Sequence, residues 1–475
     1  MIKKVLIANR GEVAVRIIRA CKELDIKTVA IYSEADMNSL HIKKADEAYL
    51  IPMDPIKAYL DYNKIINIAK QSGADAIHPG YGFLSENHEF AQACIDAGLT
   101  FIGPTPEQIE TFGDKVKAKK VMKSLGLPVV PGSDDPIDKL DDAYDIAECI
   151  GYPIILKAAY GGGGRGMRVV YKKEDLKQSF ESAQKEPLAF FGKGDIFIEK
   201  YIQRPKHIEV QILADKYGNV VHLGERDCSI QRRHQKIIEI TPSPKLDKNV
   251  RNKMLGMSVR AMMKYGYESA GTIEFILDQT TNEFYFIEMN TRLQVEHTIT
   301  EMVTGIDIVE QMIRIANGEP LSFVQNDISF RGCAIQFRIN AEDPKRNFAP
   351  SPGMITAYHS PGGIGIRMDS PIYKDYVIPP YYDSLVSKLC VWALYWERAA
   401  ARAKRALDEF IIRGIPTNLQ LHREIIRDED FIRGDFDTSF LDNRLSQYDY
   451  KIEGEKPKDV LALAISAALA SYYGL

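Results

Sequence analysis

Six cysteines, Cys21, Cys94, Cys149, Cys228, Cys333 and Cys390, are scattered over 475 residues, and no two form a Cys-x-x-Cys pair. That spacing argues against a disulfide framework and a structural zinc, and its simplest setting is a reducing cytosol. No apolar run reaches the roughly 20 residues of a membrane span. The nearest, Val460–Leu475, is short and rich in alanine and serine. The opening residues turn polar at Asn9 and Arg10, too early for the apolar stretch of a secretory signal. The formal net charge is only -4, which gives no reason to expect a nucleic-acid or membrane partner. A cytoplasmic protein acting on small molecules is the expectation these absences leave.

What is present is ordinary globular composition, 45% apolar and 27% charged, in a chain long enough for about two to four domains. Residues 1–113 alternate strand and helix: Lys4–Ala8, Glu12–Leu24, Thr28–Tyr32, Asn63–Ser72, Ala76–His78, Asn87–Ala97 and Phe101–Ile102. That rhythm predicts a doubly wound parallel sheet. Residues 114–203 predict a smaller α+β unit the size of a lid. Long strands dominate 204–330, another α+β region fills 331–446, and 447–475 reads as a charged linker and an apolar tail helix. That tail can dock on a partner or fold back on its own domain.

Gly161–Gly166 formally matches G-x-G-x-x-G, but a strand is predicted on each side of it. A dinucleotide fingerprint needs a helix after the loop, and no Walker A sequence is present, so both readings fail. Glycines without Cβ atoms still let backbone N–H groups close over phosphates, with Lys157 and Arg165 adding charge. A flexible surface turn is the alternative.

Gly271–Leu277 and Glu283–Glu288 read as a hairpin closed by residues 278–282. With Leu277 paired to Glu283, Glu274 lies opposite Phe286, and Glu288 is its diagonal neighbour roughly 7–8 Å away on the same face. Two acids among apolar residues need compensation, which a hard cation on nucleotide phosphates would supply, with Asn290 as a further oxygen donor. An exposed, solvated face is the other reading. In Asn290–His297, Arg292, Gln294 and Glu296 alternate, so an extended segment aims all three one way. Arg292 suits a small anion and Glu296 a general base beside it; a surface ion pair is the bland alternative. Gln231–Lys236 gathers donors between two predicted strands. No second His or Cys gives His234 a partner at metal-ligand spacing.

Taken together, these segments resemble biotin carboxylase, of the ATP-grasp superfamily. The resemblance rests on Ile7–Glu12, His78–Asn87, Gly161–Gly166, Glu225–Ser229, Gln231–Lys236, Phe286–His297, Phe337–Pro344 and Pro380–Ser384, and covers about residues 1–445. It implies an α/β fold: an N-terminal doubly wound parallel-sheet domain, a glycine-loop lid and a C-terminal α+β domain. It also implies ATP contacts at Lys115, Lys157, Gly163, Gly164, Glu199, Lys200, Ile202, His207, Gln231 and His234. Magnesium or manganese falls to Glu274, Glu288 and Asn290, and bicarbonate to Lys236, Arg292, Gln294 and the Val295 backbone. Glu296 becomes the base that deprotonates bicarbonate, and Arg338 the group that stabilises the biotin enolate.

Two departures stand out: Gly363-Ile364-Gly365 where the family often has Phe, and Thr298 where Pro is usual after Val-Glu-His. The first lies where bacterial relatives form a dimer, as do Arg19, Glu23 and Arg367, so a homodimer is implied. No Met-Lys-Met turn is present, so biotin is expected on a separate carrier protein, with a separate carboxyltransferase. The tail favours the biotin carboxylase subunit of a split 2-oxo-acid carboxylase, of the pyruvate or 2-oxoglutarate type. The corresponding subunit of an acetyl-CoA or propionyl-CoA carboxylase is the alternative. Another ATP-grasp ligase would not need Arg338, and a nucleotide-sensing scaffold would not keep Lys236, Arg292, Glu296 and Arg338.

Overall fold

The computed structural model describes residues 1–133, 135–158, 168–191 and 196–448, together with Ser466. The loop Gly161–Gly166, with its candidate phosphate contacts Gly163 and Gly164, lies outside the described residues, as does the Val460–Leu475 tail apart from Ser466.

The N-terminal strands β1 (Lys4–Ile7), β2 (Lys27–Tyr32), β3 (Glu47–Leu50), β4 (Ala76–His78) and β5 (Thr100–Phe101) form one parallel sheet in the order β3-β2-β1-β4-β5. Strand order reverses at β1, and the chain leaves β1 and β4 through two motif segments, Asn9–Glu12 and Pro79–Asn87. In a doubly wound sheet this crevice is where ligand-facing loops gather. The helix Gly11–Glu23 then packs Val13, Ile17 and Cys21 against Ile308, Met312 and Ile315 of a later helix and against Leu213 and Leu223. That shared apolar core fixes the N-terminal sheet to the central region.

After two capped helices, Pro106–Gly113 and Lys115–Ser124, the small unit forms a three-stranded sheet. Its strands are β6 (Ile154–Ala158), β7 (Arg168–Val170) and β8 (Ile196–Lys200), in the order β7-β6-β8. Strands therefore flank the glycine-rich stretch on both sides, as predicted.

The remaining long strands join one eight-stranded sheet: β9 (Pro205–Ala214), β10 (Val220–Arg232), β11 (Gln235–Thr241), β12 (Ser269–Asp278), β13 (Phe284–Asn290) and β14 (Cys333–Asn340), with Leu385–Ala393 and Ile366–Asp369. The order is β13-β12-β9-β10-β11-β14 followed by those two strands. Because β11 pairs with β14, the sheet runs without interruption through residue 330. A two-residue turn, Arg233-His234, joins β10 to β11, with φ of 50° and 63°. Positive φ at both central positions matches the primed turn that strand twist favours. Among the described residues, no helix is long and apolar enough to cross a membrane.

Candidate active site

Strand β9 reads His207-Ile-Glu209-Val-Gln211-Ile, so its polar residues share one face and its aliphatic residues the other. Register places Arg226 of β10 and Glu274 of β12 on either side of Glu209, and Glu288 of β13 beyond Glu274. One row across four strands thus holds three carboxylates and a guanidinium.

The hairpin register corrects the expected one. Leu277 pairs with Phe284 instead of Glu283, and a bulge at Ile287 resets the ladder so that Glu274 faces Glu288 directly. The inserted residue turns the expected diagonal pair into opposite neighbours, whose Cβ atoms lie about 4.5–5.5 Å apart. A bulge leaves no mark in the alternation of apolar residues, which is why sequence alone misplaced it.

Buried charges of this density survive only with partners. Lys236 Nζ sits 2.6 Å from Glu209, 2.8 Å from Glu274 and 2.8 Å from Glu296. Arg226 has no exposed surface; it pairs with Glu209 and donates to Gln211, Thr300, Thr272 and, at 2.6 Å, Gln294. Gln294 passes its amide hydrogen on to Glu274 at 2.8 Å. Burial acts to raise the Glu296 carboxyl, but Lys236, Arg338 and Arg226 outweigh it and hold the group well below the usual carboxylate range. Glu274 is lowered likewise, with Lys236 and His207 overcoming burial.

The loop after β13 is not extended throughout. It turns at Val295-Glu296 into the helix His297–Thr304. Gln294 and Glu296 both reach the cluster, whereas Arg292 bonds Asn290 at 2.7 Å and, through Nε, Glu86 of the N-terminal domain at 2.9 Å. The Val295 carbonyl accepts from Lys388, a lysine with no exposed surface. On β14, Arg338 donates to Glu296 at 3.0 Å and to Glu239 of β11.

Of the other sequence candidates, Gln231 bonds His207 Nδ1 at 3.0 Å, and His207 Nε2 lies 2.5 Å from Glu274. Lys115 reaches Glu288 at 3.1 Å. Lys157 pairs with Glu199 inside the small sheet, and Ile202 is buried just after β8. The Lys200 ammonium points to the carbonyls of Gly151 and Tyr152, at 3.0 and 3.2 Å. His234 stands apart at the exposed tip of its turn. Sequence reasoning missed Glu209, Arg226, Glu239 and Lys388; for Glu209 the polar alternation along β9 was the available signal.

The donor set suits a hard divalent ion. Glu274, Glu288 and Asn290 present oxygen atoms side by side, and the ammonium groups of Lys236 and Lys115 already lie against the two carboxylates. Oxygen-only donors of this kind match magnesium or manganese.

A small antiparallel unit beside a large antiparallel sheet that carries paired acids, with a parallel-sheet domain ahead of both, defines an ATP-grasp enzyme. Residues 1–109 match the biotin carboxylase N-terminal domain, 114–324 the ATP binding domain of the carbamoyl-phosphate synthase L chain, and 336–443 the biotin carboxylase C-terminal domain. The 2-oxoglutarate carboxylase small subunit of Hydrogenobacter thermophilus is 53% identical over 475 residues, all of both chains. A pyruvate carboxylase subunit of Methanothermobacter thermautotrophicus is 51% identical, covering 97% of this chain and 93% of that one. A solved biotin carboxylase domain dimer of the Hydrogenobacter enzyme, in complex with MgADP, ADP and bicarbonate, superposes with a TM-score of 0.85 at 53% identity, over 95% of this chain and 99% of that one. The chain belongs to the biotin carboxylase family and is an ATP-dependent carboxylase.

Proposed function

We propose that this chain activates bicarbonate with ATP and transfers the carboxyl group to biotin on a separate carrier protein. The observation that carries the reading is Glu296, buried and ionised between Lys236 and Arg338. Those two cations are also the groups that would receive bicarbonate and the biotin enolate. A substrate anion that takes them over removes the charges that depress Glu296, and its proton affinity rises as the bicarbonate proton comes within reach.

The sequence of steps then follows. Glu296 takes the bicarbonate proton, and the freed oxygen attacks the γ-phosphate of ATP, giving carboxyphosphate and ADP. Lys236, Arg292, Gln294 and the Val295 backbone hold the bicarbonate, and Lys236 and Arg292 neutralise developing charge. Carboxyphosphate breaks into carbon dioxide and phosphate, and the phosphate removes the biotin ring N–H proton. Arg338 stabilises the resulting enolate while it captures the carbon dioxide. Magnesium or manganese held by Glu274, Glu288 and Asn290 would supply charge neutralisation at the nucleotide phosphates. The nucleotide itself falls to Lys115, Lys157, Gly163, Gly164, Glu199, Lys200, Ile202, His207, Gln231 and His234. Closing the lid over the site would keep water from carboxyphosphate.

The relatives named as subunits support a separate carrier and a separate carboxyltransferase, and they favour a 2-oxo acid, pyruvate or 2-oxoglutarate, as final acceptor. Relatives named simply biotin carboxylase keep an acyl-CoA carboxylase as the alternative. The dimeric relative supports a homodimer here through the face bearing Arg19, Glu23 and Arg367. A cytoplasmic location completes the reading.

Phosphate release from magnesium-ATP, with bicarbonate and free biotin varied, tests it. Release that needs bicarbonate and rises with biotin is the expected result. Release stimulated by another small acid or amine, and not by biotin, would overturn it.

A further inference from the structure

Arg338 is held from two sides. Its Nη2 donates to Glu296 at 3.0 Å, and its Nε donates to Glu239. Glu239 has no exposed surface and sits on β11 directly opposite Gln336 of β14, two residues before Arg338 on the same face. Gln336 Nε2 donates to the second oxygen of Glu239 at 2.9 Å. Gln336 Oε1 accepts from the hydroxyl of Thr298, in the first turn of the helix His297–Thr304, and Cys390 Sγ stands 3.7 Å from the same oxygen.

Each link runs in one direction. A carboxylate only accepts, so Gln336 turns its amide NH2 to Glu239 and its oxygen to Thr298, whose hydroxyl must donate. The thiol of Cys390 is a weak substitute for that donor. Thr298 therefore sets which way the Gln336 amide faces, and Gln336 fixes the carboxylate that holds the guanidinium. The Arg338 backbone is anchored as well: its carbonyl accepts from Asn418 at 2.9 Å and lies 2.7 Å from His422 Nε2. Burial raises the Glu239 carboxyl to about 7 against the pull of Arg338.

Glu296 cannot both grip Arg338 and serve as a base, because a protonated carboxyl no longer draws a guanidinium. While Glu296 carries the proton, Glu239 is the carboxylate still bonded to Arg338. We infer that Thr298, Gln336 and Glu239 are positioning residues that hold Arg338 in place through the proton transfer. They serve the biotin step and leave ATP cleavage alone. The inference rests on Arg338 being the group that meets the biotin enolate.

The test uses the intact chain and phosphate release with magnesium-ATP and bicarbonate, with and without free biotin. Thr298→Val keeps the shape and removes the hydroxyl. It is expected to lower kcat/KM for biotin about fivefold, the worth of one hydrogen bond. KM for ATP and the biotin-independent rate should stay at their native values. Thr298→Ser should restore the biotin term, and Gln336→Met should lower it further with the same split. Native biotin kinetics in both Thr298→Val and Gln336→Met, or an equal loss with and without biotin, would overturn the inference. Arg338→Lys in the same assay separates the two layers. If it leaves biotin stimulation intact, the reading of Arg338 fails; if it alone lowers stimulation, only the positioning chain fails.

Discussion

Lys388 Nζ, buried without exposed surface, donates to the carbonyl of Val295 at 3.0 Å. The same ammonium lies 3.0 Å from Glu12 Oε2, and the hydroxyl of Tyr81 closes on the other oxygen of Glu12. Lys388 belongs to the strand Leu385–Ala393, Glu12 to the first helix and Tyr81 to the loop after β4. One ammonium therefore ties the N-terminal and C-terminal regions to the segment that delivers Gln294 and Glu296.

Removing that ammonium should be costly. Lys388→Met fits the volume but leaves Glu12 buried without its cation, a change worth about 3–5 kcal/mol. Adding Glu12→Gln removes the orphaned charge, so the double variant should recover most of the loss. Urea unfolding of the two single variants and the double variant gives the coupling directly. Additive losses would mean that the pair does not stabilise the fold.

Much of this arrangement was legible because strands advertise their faces. Polar residues at every second position in Gly271–Leu277 and in Asn290–Glu296 stood out against aliphatic neighbours, and Glu274, Gln294 and Glu296 do meet in one cluster. The alternating strands and helices of 1–113 gave the parallel sheet for the same reason. Register was harder: a single inserted residue, Ile287, moved Glu288 opposite Glu274, and nothing local encodes it. Charge partners across the chain were hardest. Lys388, Glu12 and Glu239 each look like isolated polar residues in apolar stretches, and only tertiary packing pairs them.

The two acidic candidates for the metal differ in burial, and substitution should separate them. Glu288 is 34% exposed and pairs with Lys115, itself 80% exposed. Glu288→Gln should leave stability within about 0.5 kcal/mol. The magnesium concentration for half-maximal activity should rise at least about tenfold. Glu274 is buried against Lys236, His207, Asn290 and Gln294, so Glu274→Gln should also cost about 3 kcal/mol of stability. Magnesium titrations and unfolding curves on both variants check this. An unshifted magnesium dependence in Glu288→Gln would remove that residue from the site.

Glu296→Ala should leave the fold standing, because Lys236 keeps Glu209 and Glu274, and Arg338 keeps Glu239. Bicarbonate-dependent phosphate release should fall by at least about a hundredfold, while ADP binding stays near native. Calorimetry with ADP beside the phosphate assay reads both. Undiminished release would remove Glu296 as the base.

Acid should loosen the junction of the N-terminal and C-terminal regions at Asp36. Its carboxylate accepts from Arg10 at 2.8 Å, Tyr59 at 2.7 Å and Tyr382 at 2.8 Å, and the Arg10 guanidinium stacks 3.7 Å from the Tyr382 ring centre. Burial acts to raise Asp36, but Arg10 and these hydrogen bonds outweigh it and bring the group down to about 2. A depressed carboxyl stabilises above its unfolded value near 3.8 and loses that contribution as pH falls through about 2. The full contribution is about 2 kcal/mol, with about half of it gone by pH 3. Asp36→Asn should be less stable than the native chain at pH 6 and should lose less between pH 5 and pH 3. Urea midpoints across that range measure the two slopes, and equal slopes would show that the Asp36 carboxylate carries none of the acid sensitivity.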